Sequence, residues 1–495
     1  MPHVITQACC GDASCVYACP VNCIHPTPDE PDFGIAEMLY VDPATCVDCG
    51  ACVSACPVGA IVPGHRLPDA SERFAEVNAA HYGHAQDGVA RFPVPHDKRL
   101  PLAPITKPRA VRGGPDVLDV AIVGSGPSAM YAADELLKQP RVRVTVYERL
   151  DVPFGLSRFG VAPDHTSTRS VMNLFDDVAR NPNITILLNT EIGRDISLGE
   201  LRSRHHAVLW AGGAPTDKTL PIPGVQSSGV QSATSLVGWY NGHPDFVDAG
   251  PDLSCERVVV IGNGNVALDV ARILTADVDE LAKTDISRAA LAALRSSSVR
   301  EVVVVGRRGP AHAAFTLPEL IGLADGHARV QVRPEDLEGI YADDVDDSTV
   351  AAKIALLHEI SMNEFSQSPT PTEPFIRLAF GRTPLEVVGD GEATGVRFVR
   401  TGTEVEETID AGLVLTSIGY RGVAVPGLPF DDATGTIANV AGRVVDGDTP
   451  VPGMYVTGWI KRGPSGFIGT NKTDSGETVA NLLADVEAGA LSAVG

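Results

Sequence analysis

Apolar, β-branched runs alternate with helical stretches along the middle of the chain. Residues 119–123 predict a buried parallel strand, and a glycine-rich turn and a helical stretch to Leu137 follow it. Val142–Tyr147 predicts the next strand. The same order recurs downstream, where Arg257–Ile261 leads through a second glycine-rich turn and a helical stretch to the strand Glu301–Val305. Strands and helices that alternate in this way predict an α/β fold with parallel sheets.

The first glycine-rich turn has the composition of a dinucleotide site. Gly124 permits a tight turn, Gly126 lets the backbone approach a pyrophosphate, and the small Ala129 lets helix and strand pack closely. The helix then directs the positive end of its dipole toward the phosphates. The second strand ends at Glu148, where an acid binds the ribose hydroxyls of an adenosine. Strand, helix and terminal acid in one register make this motif specific.

The second turn, residues 262–267 (Gly-Asn-Gly-Asn-Val-Ala), is followed by a strand with a different ending. Arg307 and Arg308 stand where an acid would hold a 2′-hydroxyl. Two guanidinium groups there indicate a 2′-phosphate, so the site should prefer NADP over NAD; the alternative is a solvated turn. The first site has an acid at the end of its second strand, and the second site has two arginines there. This pair predicts a flavin enzyme that uses NADPH, with the NADP domain inserted into the FAD domain.

Cysteines are concentrated at the N-terminus, where nine of the ten lie in the first 56 residues. Residues 46–57 have the complete bacterial ligand run, C-x2-C-x2-C-x3-C-P, and residues 9–20 repeat it with an aspartate at the second position. In such pairs the fourth cysteine of each run reaches the other cluster. The predicted iron ligands are Cys19, Cys46, Cys49 and Cys52 for one 4Fe–4S cluster and Cys9, Cys15 and Cys56 for the other cluster.

Asp12 leaves the type of the second cluster open. A carboxylate oxygen is a poorer ligand for iron–sulfide than a thiolate, so the altered run predicts a 3Fe–4S cluster or a labile 4Fe–4S cluster with Asp12 on the odd iron. Cys10 is a spare thiol able to replace Cys9, and we interpret Cys23 as a packed thiol rather than a ligand. A structural zinc site fits the spacing less well, because it needs two cysteine pairs with a spacer.

The chain of 495 residues is too long for one core. We predict a small α+β ferredoxin domain followed by two Rossmann-like domains. The predicted boundaries are 1–63 for the ferredoxin domain, 64–115 for a proline-rich linker, 116–215 with 426–495 for the FAD-binding domain, and 216–425 for the NADP-binding domain.

Charge and composition exclude several classes of partner. The net charge of −23 argues against nucleic acid and against an anionic membrane surface. No apolar run approaches the roughly 20 residues of a membrane span. Residues 1–70 hold eight aspartates or glutamates against one arginine, an acidic surface that would steer a basic partner. With no room for a targeting segment before the cysteine runs, we predict a cytoplasmic protein.

Four further segments carry a family resemblance: PFGLSRFGVAPDH at 153–165, GNGN at 262–265, RRGP at 307–310 and GWIKRGPSG at 458–466. Through them, residues from about 116 to 480 resemble the adrenodoxin reductase-type ferredoxin–NADP reductases. The first 60 residues resemble a seven-iron bacterial ferredoxin, so the whole is similar to the actinobacterial fusion reductases.

The resemblance implies cofactor contacts by position. For FAD these are Ser128, Glu148, Leu156, Ile192, Trp459, Gly466 and Ile468. For NADP they are Gly262, Asn263, Gly264, Asn265, Arg307, Arg308, Glu319 and Gly466. Phe467 belongs to the segment that opens the last helix, whose N-terminal dipole we expect to face the flavin. The family often has a second acid three residues after the position of Glu319, and this chain has Gly322 there.

The implied activity is that of an NADPH–ferredoxin reductase. His165 matches a histidine near the place where nicotinamide and flavin meet, and we take His165 and Glu319 as candidate catalytic residues; the alternative for His165 is a hydrogen bond to FAD or to the local turn. Hydride would pass from NADPH to FAD, and single electrons would then reach the clusters and an external ferredoxin or a cytochrome P450. The alternative function is an electron-relay subunit resembling the small subunit of glutamate synthase.

Overall fold

The computed structural model describes residues 2–83, 110–326, 329–363 and 373–491. The N-terminal head contains β1 (His3–Ile5), α1 (Ser14–Ala18), β2 (Ile24–His25), β3 (Tyr40–Val41), α2 (Ala51–Ala55), β4 (Ile61–Pro63) and α3 (Arg73–His81). The next segment contains β5 (Leu118–Val123), α4 (Pro127–Leu137), β6 (Val142–Tyr147), α5 (Leu156–Phe159), α6 (Thr166–Arg169), α7 (Val171–Ala179), β7 (Ile184–Leu187), α8 (Leu198–Arg204) and β8 (Ala207–Trp210).

The second half of the chain alternates strands and helices before it ends on a long helix. Its first part contains β9 (Thr216–Asp217), β10 (Val230–Ser232), α9 (Ala233–Tyr240), β11 (Arg257–Ile261), α10 (Asn265–Thr275), α11 (Val278–Leu281), α12 (Arg288–Arg295), β12 (Glu301–Val305), α13 (Leu317–Ala324), β13 (Val330–Val332), α14 (Ser348–Met362), β14 (Phe375–Ala379), β15 (Arg382–Val388), β16 (Gly395–Arg400), β17 (Glu406–Asp410), β18 (Leu413–Thr416) and β19 (Tyr420–Arg421). The remainder is β20 (Phe430–Asp431), β21 (Thr436–Ile437), β22 (Asn439–Val440), β23 (Arg443–Asp446), β24 (Thr449–Val456), α15 (Trp459–Arg462) and α16 (Thr470–Glu487).

Seven strands form the first large sheet, in the order β22-β23-β24-β8-β5-β6-β7. The strands from β24 to β7 run parallel. The central strand β5 is buried along almost its whole length, as its continuous apolar sequence requires. Helices α4 and α16 lie side by side against this sheet. Residues from both ends of the reductase region therefore build one core.

Six parallel strands form the second large sheet, in the order β10-β18-β11-β12-β14-β13. The chain crosses between the sheets twice, and the two crossings pair with each other as β9 and β19. Two parallel sheets behind a small α+β head confirm the predicted fold class. In the described ranges, no helix combines the length and the apolar character that a membrane crossing needs.

The head extends beyond its cysteine runs, because α3 is part of it. Phe74 is buried in its core, and Asn78 Oδ1 accepts hydrogen bonds from the backbone N–H groups of Ile5, at 3.2 Å, and Val41, at 2.8 Å. This stretch differs from the predicted linker, since Asn78 satisfies backbone donors of two short strands and so ties α3 to them. Residues 84–109 of the predicted linker lie outside the described residues.

The head contacts both sheet regions. On the side of the seven-stranded sheet, Gly469 N donates to Cys10 O at 2.8 Å, and Lys472 Nζ lies 3.2 Å from Asp12 Oδ2. On the side of the six-stranded sheet, Arg73 forms ion pairs with Asp325 and Glu359. Apolar residues of the head join the buried clusters of both regions. The head is therefore docked by backbone, charged and apolar contacts together.

We expect Gly469→Ala to weaken this docking. A Cβ at Gly469 would lie 2.2 Å from Asp12 N and 2.4 Å from Cys10 O, both backbone atoms with little freedom to move. Overpacking of this kind costs about 1–3 kcal/mol, which corresponds to a change of about fivefold to a hundredfold or more in the docking equilibrium. Hydrogen exchange of the 2–20 peptide, measured by mass spectrometry, should rise accordingly.

Gly476→Ala is the matched control for this experiment. Gly476 lies in α16, and a Cβ there would meet no atom within 4 Å. The same chemical change should therefore leave exchange in the head unaltered. Equal exchange in Gly469→Ala and wild type would show that the close contact is not needed for docking.

Candidate functional site

The first glycine-rich turn connects β5 to α4 and leaves room for a phosphate. Gly124 has φ +95°, and a Cβ there would lie 2.7 Å from Ala211 O, so only glycine fits the turn. A Cβ at Gly126, in contrast, would meet no atom within 4 Å. This open space lies at the N-terminus of α4, where backbone N–H groups and the helix dipole favour an anion.

Glu148 lies at the end of β6 with its carboxylate buried against this turn. Ser125 donates to Oε2 from its backbone nitrogen at 3.0 Å and from its hydroxyl at 2.6 Å, and Leu150 N donates to Oε1 at 2.9 Å. A carboxylate has about four acceptor sites, so one remains for a ribose hydroxyl. The turn and Glu148 together fit the adenosine and pyrophosphate of FAD.

The other residues predicted to contact FAD lie around the starts of α4 and α16. Ser128 Oγ donates to Asn471 Oδ1 at 2.8 Å and joins the two helices. Trp459 begins α15, and Gly466 has φ +79° in the loop before α16. The remaining predicted residues lie in three places. Phe467 and Ile468 precede α16, and Leu156 begins α5. Ile192, after β7, forms an isolated β-bridge with Ile196.

The second glycine-rich turn repeats this arrangement between β11 and α10. A Cβ at Gly262 would lie 2.0 Å from Ser417 O, whereas a Cβ at Gly264 would meet no atom within 4 Å. Asn263 Oδ1 accepts from Ala314 N at 3.4 Å, and Asn265 Oδ1 accepts from Thr316 N at 2.8 Å. The turn is thus held to the segment that leads into α13.

Arg307 and Arg308 follow β12, and both side chains are exposed. No hydrogen bond or ion pair joins either guanidinium to the part of the chain that the structure describes. Two free cations beside an open glycine-rich turn fit a 2′-phosphate, since guanidinium groups bind phosphate in a planar, bidentate way.

His165 and Glu319 belong to a buried charged cluster between the two turns. Arg272 Nη2 donates to His165 Nε2 at 2.8 Å, and His165 Nε2 lies 3.8 Å from Asp269 Oδ1 and 4.0 Å from Glu319 Oε2. Arg272 also pairs with Asp164 and Asp269. Burial raises the pKa of Asp269 to about 7 and lowers that of Arg272 to about 10. Because the guanidinium already supplies positive charge, these acids need no metal ion.

The cysteines of the head fall into two groups, and the cross-ligation of the two runs stays a prediction. One cavity is lined by Cys19, Cys23, Cys46, Cys49 and Cys52. Cys23 Sγ lies 3.4 Å from Cys19 Sγ, and its backbone N–H donates to that sulfur at 3.4 Å. Four thiolate donors around one cavity fit a 4Fe–4S cluster. The assignment of Cys23 as a thiol beside the cluster stays a prediction.

The second group contains Cys9, Cys15 and Cys56. Burial raises the pKa of Cys15 well above its usual range, and charge on Cys9, Asp12, Cys56 and Cys52 adds to the rise. Backbone N–H groups donate to two of these sulfurs, from Leu39 to Cys9 at 3.5 Å and from Ala60 to Cys56 at 3.3 Å. Burial raises the pKa of Cys9 to about 11, so a thiolate there needs a cation such as iron beside it. Three thiols in this setting fit a three-cysteine iron–sulfur site.

Asp12 lies next to the second group, but its carboxylate is engaged elsewhere. It is 6% exposed, and it accepts a hydrogen bond from Ser14 N at 3.3 Å and a short one from Ser14 Oγ. Lys472 Nζ lies 3.2 Å from its Oδ2 and also donates to Ser14 Oγ at 2.7 Å. These contacts compete with iron for the carboxylate.

Several residues in these sites were not found by sequence reasoning. Asp269 and Arg272 follow the predicted Asn265 by four and seven residues, so the helix face that they share with it was a readable signal. Lys472, in contrast, is 460 residues from Asp12 in the chain, and no local pattern indicates such a pair.

Comparisons with known proteins agree with this arrangement. The family model of the 4Fe-4S dicluster domain matches residues 8–60, and that of the pyridine nucleotide-disulphide oxidoreductases matches residues 118–308. A probable ferredoxin/ferredoxin–NADP reductase of Mycobacterium tuberculosis is 55% identical over 99% of this chain and 85% of its own. Human mitochondrial NADPH:adrenodoxin oxidoreductase is 43% identical over 75% of this chain and 79% of its own. The structure of Mycobacterium tuberculosis FprA in complex with NADPH is similar, with a TM-score of 0.71 and 42% identity over 76% of this chain and 87% of that chain.

We expect the double variant Arg307→Ala, Arg308→Ala to lose its preference for NADPH over NADH by about tenfold or more, or about 1.4 kcal/mol. The reason is that both exposed guanidinium groups are free to bind a 2′-phosphate, which NADH lacks. The measurement is kcat/KM for each nucleotide with an artificial electron acceptor. An unchanged ratio of the two values would refute the assignment of these arginines.

Proposed function

This chain belongs to the adrenodoxin reductase-type ferredoxin–NADP reductases, in the form with an N-terminal 4Fe-4S dicluster domain, and we propose that it passes electrons from NADPH through FAD and its own clusters to an external ferredoxin. The observation that carries this proposal is the docking of a cysteine-rich head against the starts of α16 and α13, two helices that adjoin the glycine-rich nucleotide turns of one chain. One NADPH supplies two electrons, and each ferredoxin takes one, so two ferredoxins are reduced per NADPH. The relay-subunit alternative is not favoured, because relatives that match nearly the full chain carry the names of reductases.

We assign the two nucleotides to the two sheets. FAD would lie along the seven-stranded sheet, on the turn at Gly126 with Glu148 at its ribose, so residues 116–215 and 426–495 would form its domain. NADP would lie along the six-stranded sheet within residues 216–425, with its 2′-phosphate at Arg307 and Arg308. Held in this way, NADPH would supply a hydride and FAD would supply the step from two-electron to single-electron transfer.

The charged cluster between the turns would position the nicotinamide. His165 precedes α6 and Glu319 lies in the first turn of α13, and Arg272 of α10 holds the imidazole through a 2.8 Å hydrogen bond. Because a guanidinium carries only N–H donors, Nε2 of His165 is the acceptor in this bond. Hydride transfer needs no protein acid or base in its bond-making step, so these side chains would act by orientation and electrostatics.

The order of the two iron–sulfur sites would follow from their places in the head. Cys10, next to Cys9, accepts a hydrogen bond from Gly469 at the start of α16, on the flavin side. Cys49, in the other group, is exposed. We propose that electrons enter at the Cys9, Cys15 and Cys56 site and leave from the site that contains Cys49. An external ferredoxin would dock there; a cytochrome P450 is the further candidate acceptor.

A 3Fe–4S cluster at the entry site is the interpretation that the contacts of Asp12 favour. Its carboxylate is held by Ser14 and paired with Lys472, so binding the odd iron would require both contacts to break. Cys9, Cys15 and Cys56 would then hold three irons, with Cys10 as a further buried thiol next to Cys9. The site of Cys19, Cys46, Cys49 and Cys52 would hold a 4Fe–4S cluster.

Anaerobic purification followed by low-temperature EPR tests the proposed path. With iron and FAD counted per chain, we expect a signal from an oxidised 3Fe–4S cluster before NADPH is added. After NADPH is added, that signal should be lost as the cluster is reduced. Clusters that stay oxidised while the flavin is bleached would overturn the proposed path.

Asp12→Cys tests the type of the entry cluster. A thiolate at this position completes the bacterial ligand run, so we expect iron to rise from about seven to about eight per chain and the 3Fe–4S signal to disappear. Asp12→Asn is the control, because it also breaks the pairing with Lys472 but supplies no thiolate. If the wild type holds a 4Fe–4S cluster at the entry site and Asp12→Asn contains one iron fewer, Asp12 is itself a ligand.

A further inference from the structure

The head contributes a side chain to the charged cluster at the nicotinamide site. Gln7 Nε2 donates to Glu319 Oε2 at 2.9 Å across 312 residues of sequence. Glu319 lies 4.0 Å from His165 and is only 18% exposed. A group from the head therefore satisfies and orients a carboxylate in the part of the molecule that we assign to hydride transfer.

A second residue of the head holds the same helix. Glu37 Oε2 accepts from Leu317 N at 2.6 Å, at the first residue of α13, and a carboxylate there is favoured by the helix dipole. Glu37 Oε1 also lies 2.9 Å from Lys353 Nζ, whose side chain is 8% exposed. Both contacts fix the start of α13 from the side of the head.

The opposite side of this helix start is fixed by the second glycine-rich turn. Thr316, the N-cap of α13, donates its backbone N–H to Asn265 Oδ1 at 2.8 Å. Asn265 Nδ2 also lies 3.3 Å from the threonine hydroxyl. The first turn of α13 thus connects the nucleotide-binding turn to the head.

We propose that the docked head completes the NADP site: Gln7 and Glu37 hold the start of α13 in the position from which Asn265 and Glu319 meet the nucleotide. This inference rests on the proposed function, because it takes NADP as the ligand of the second turn. Head docking and nucleotide binding are then energetically coupled, and coupling of this kind acts equally in both directions. Gln7 and Glu37 are positioning residues, since they act through α13.

Gly322 supplies the space that Gln7 needs. A Cβ at Gly322 would lie 2.2 Å from Gln7 Oε1 and 2.3 Å from its Nε2. Any larger residue at position 322 would therefore displace the Gln7 amide from Glu319.

Titration of the full-length protein with NADP+, followed by flavin absorbance or calorimetry, tests the proposal. We expect Kd for NADP+ to rise about fivefold or more in Gln7→Met, which keeps the volume of the side chain but donates no hydrogen bond. Gly322→Ala should give a similar rise. The double variant should be no weaker than either single variant, because both changes remove the same hydrogen bond.

The second readout is hydrogen exchange in the head. In the wild type, NADP+ should slow exchange of the 2–20 peptide, and this protection should be lost in Gln7→Met. Gly476→Ala controls for a glycine-to-alanine change in a helix, since its Cβ would meet no atom within 4 Å. Iron and FAD content show that each variant is folded and loaded.

The outcomes separate the two levels of interpretation. If the wild type binds NADP+ and both variants keep Kd within about twofold of the wild-type value, the coupling is overturned and the proposed function stays in place. Additive losses in the double variant would also contradict it, because Gly322→Ala would then act by another route. Wild-type protein that does not bind NADP+ would refute the proposed function and this inference together.

Discussion

The close approach of two backbones at Gly469 is the contact on which the relation between the head and the reductase depends. The amide of Gly469 reaches Cys10 O at 2.8 Å, and a single methyl group there would lie 2.2 Å from Asp12 N. Electrons pass between redox groups only over short distances, and this contact sets the separation between the first cysteine run and the loop before α16. The covalent connection raises the effective concentration of the head, but the contact at Gly469 gives it one orientation.

Charged contacts around this point specify the orientation of the head. The head is strongly acidic, and two of its acids, Asp12 and Glu37, face lysines of the reductase. Desolvation offsets much of the attraction in such buried pairs, so their contribution to stability is small, whereas breaking one leaves an unpaired buried charge. A head shifted by one residue would lose both pairs. The ion pairs therefore act mainly by excluding wrong registers.

Local patterns in the sequence predicted the strands that depend on local interactions. The β-branched runs gave Val142–Tyr147, Arg257–Ile261 and Glu301–Val305 with the bounds that the structure has, because buried parallel strands are apolar throughout. Helix α3 was missed because it lies in a polar, charged stretch and is fixed by long-range contacts of Asn78 and Arg73. The contacts of Gln7 and Glu37 were missed for a different reason. They join residues about 300 positions apart, and periodicity carries no information on such pairs.

The head touches the starts of two helices that belong to different sheets. Gly469 lies at the start of α16, beside the turn of Gly126, and Leu317 begins α13, beside the turn of Gly262. Both contacts form together only when the two sheets take one relative orientation, since the head is a single packed unit. The head therefore binds best to the one relative orientation of the two sheets in which Gly469 meets Cys10 while Gln7 and Glu37 reach α13.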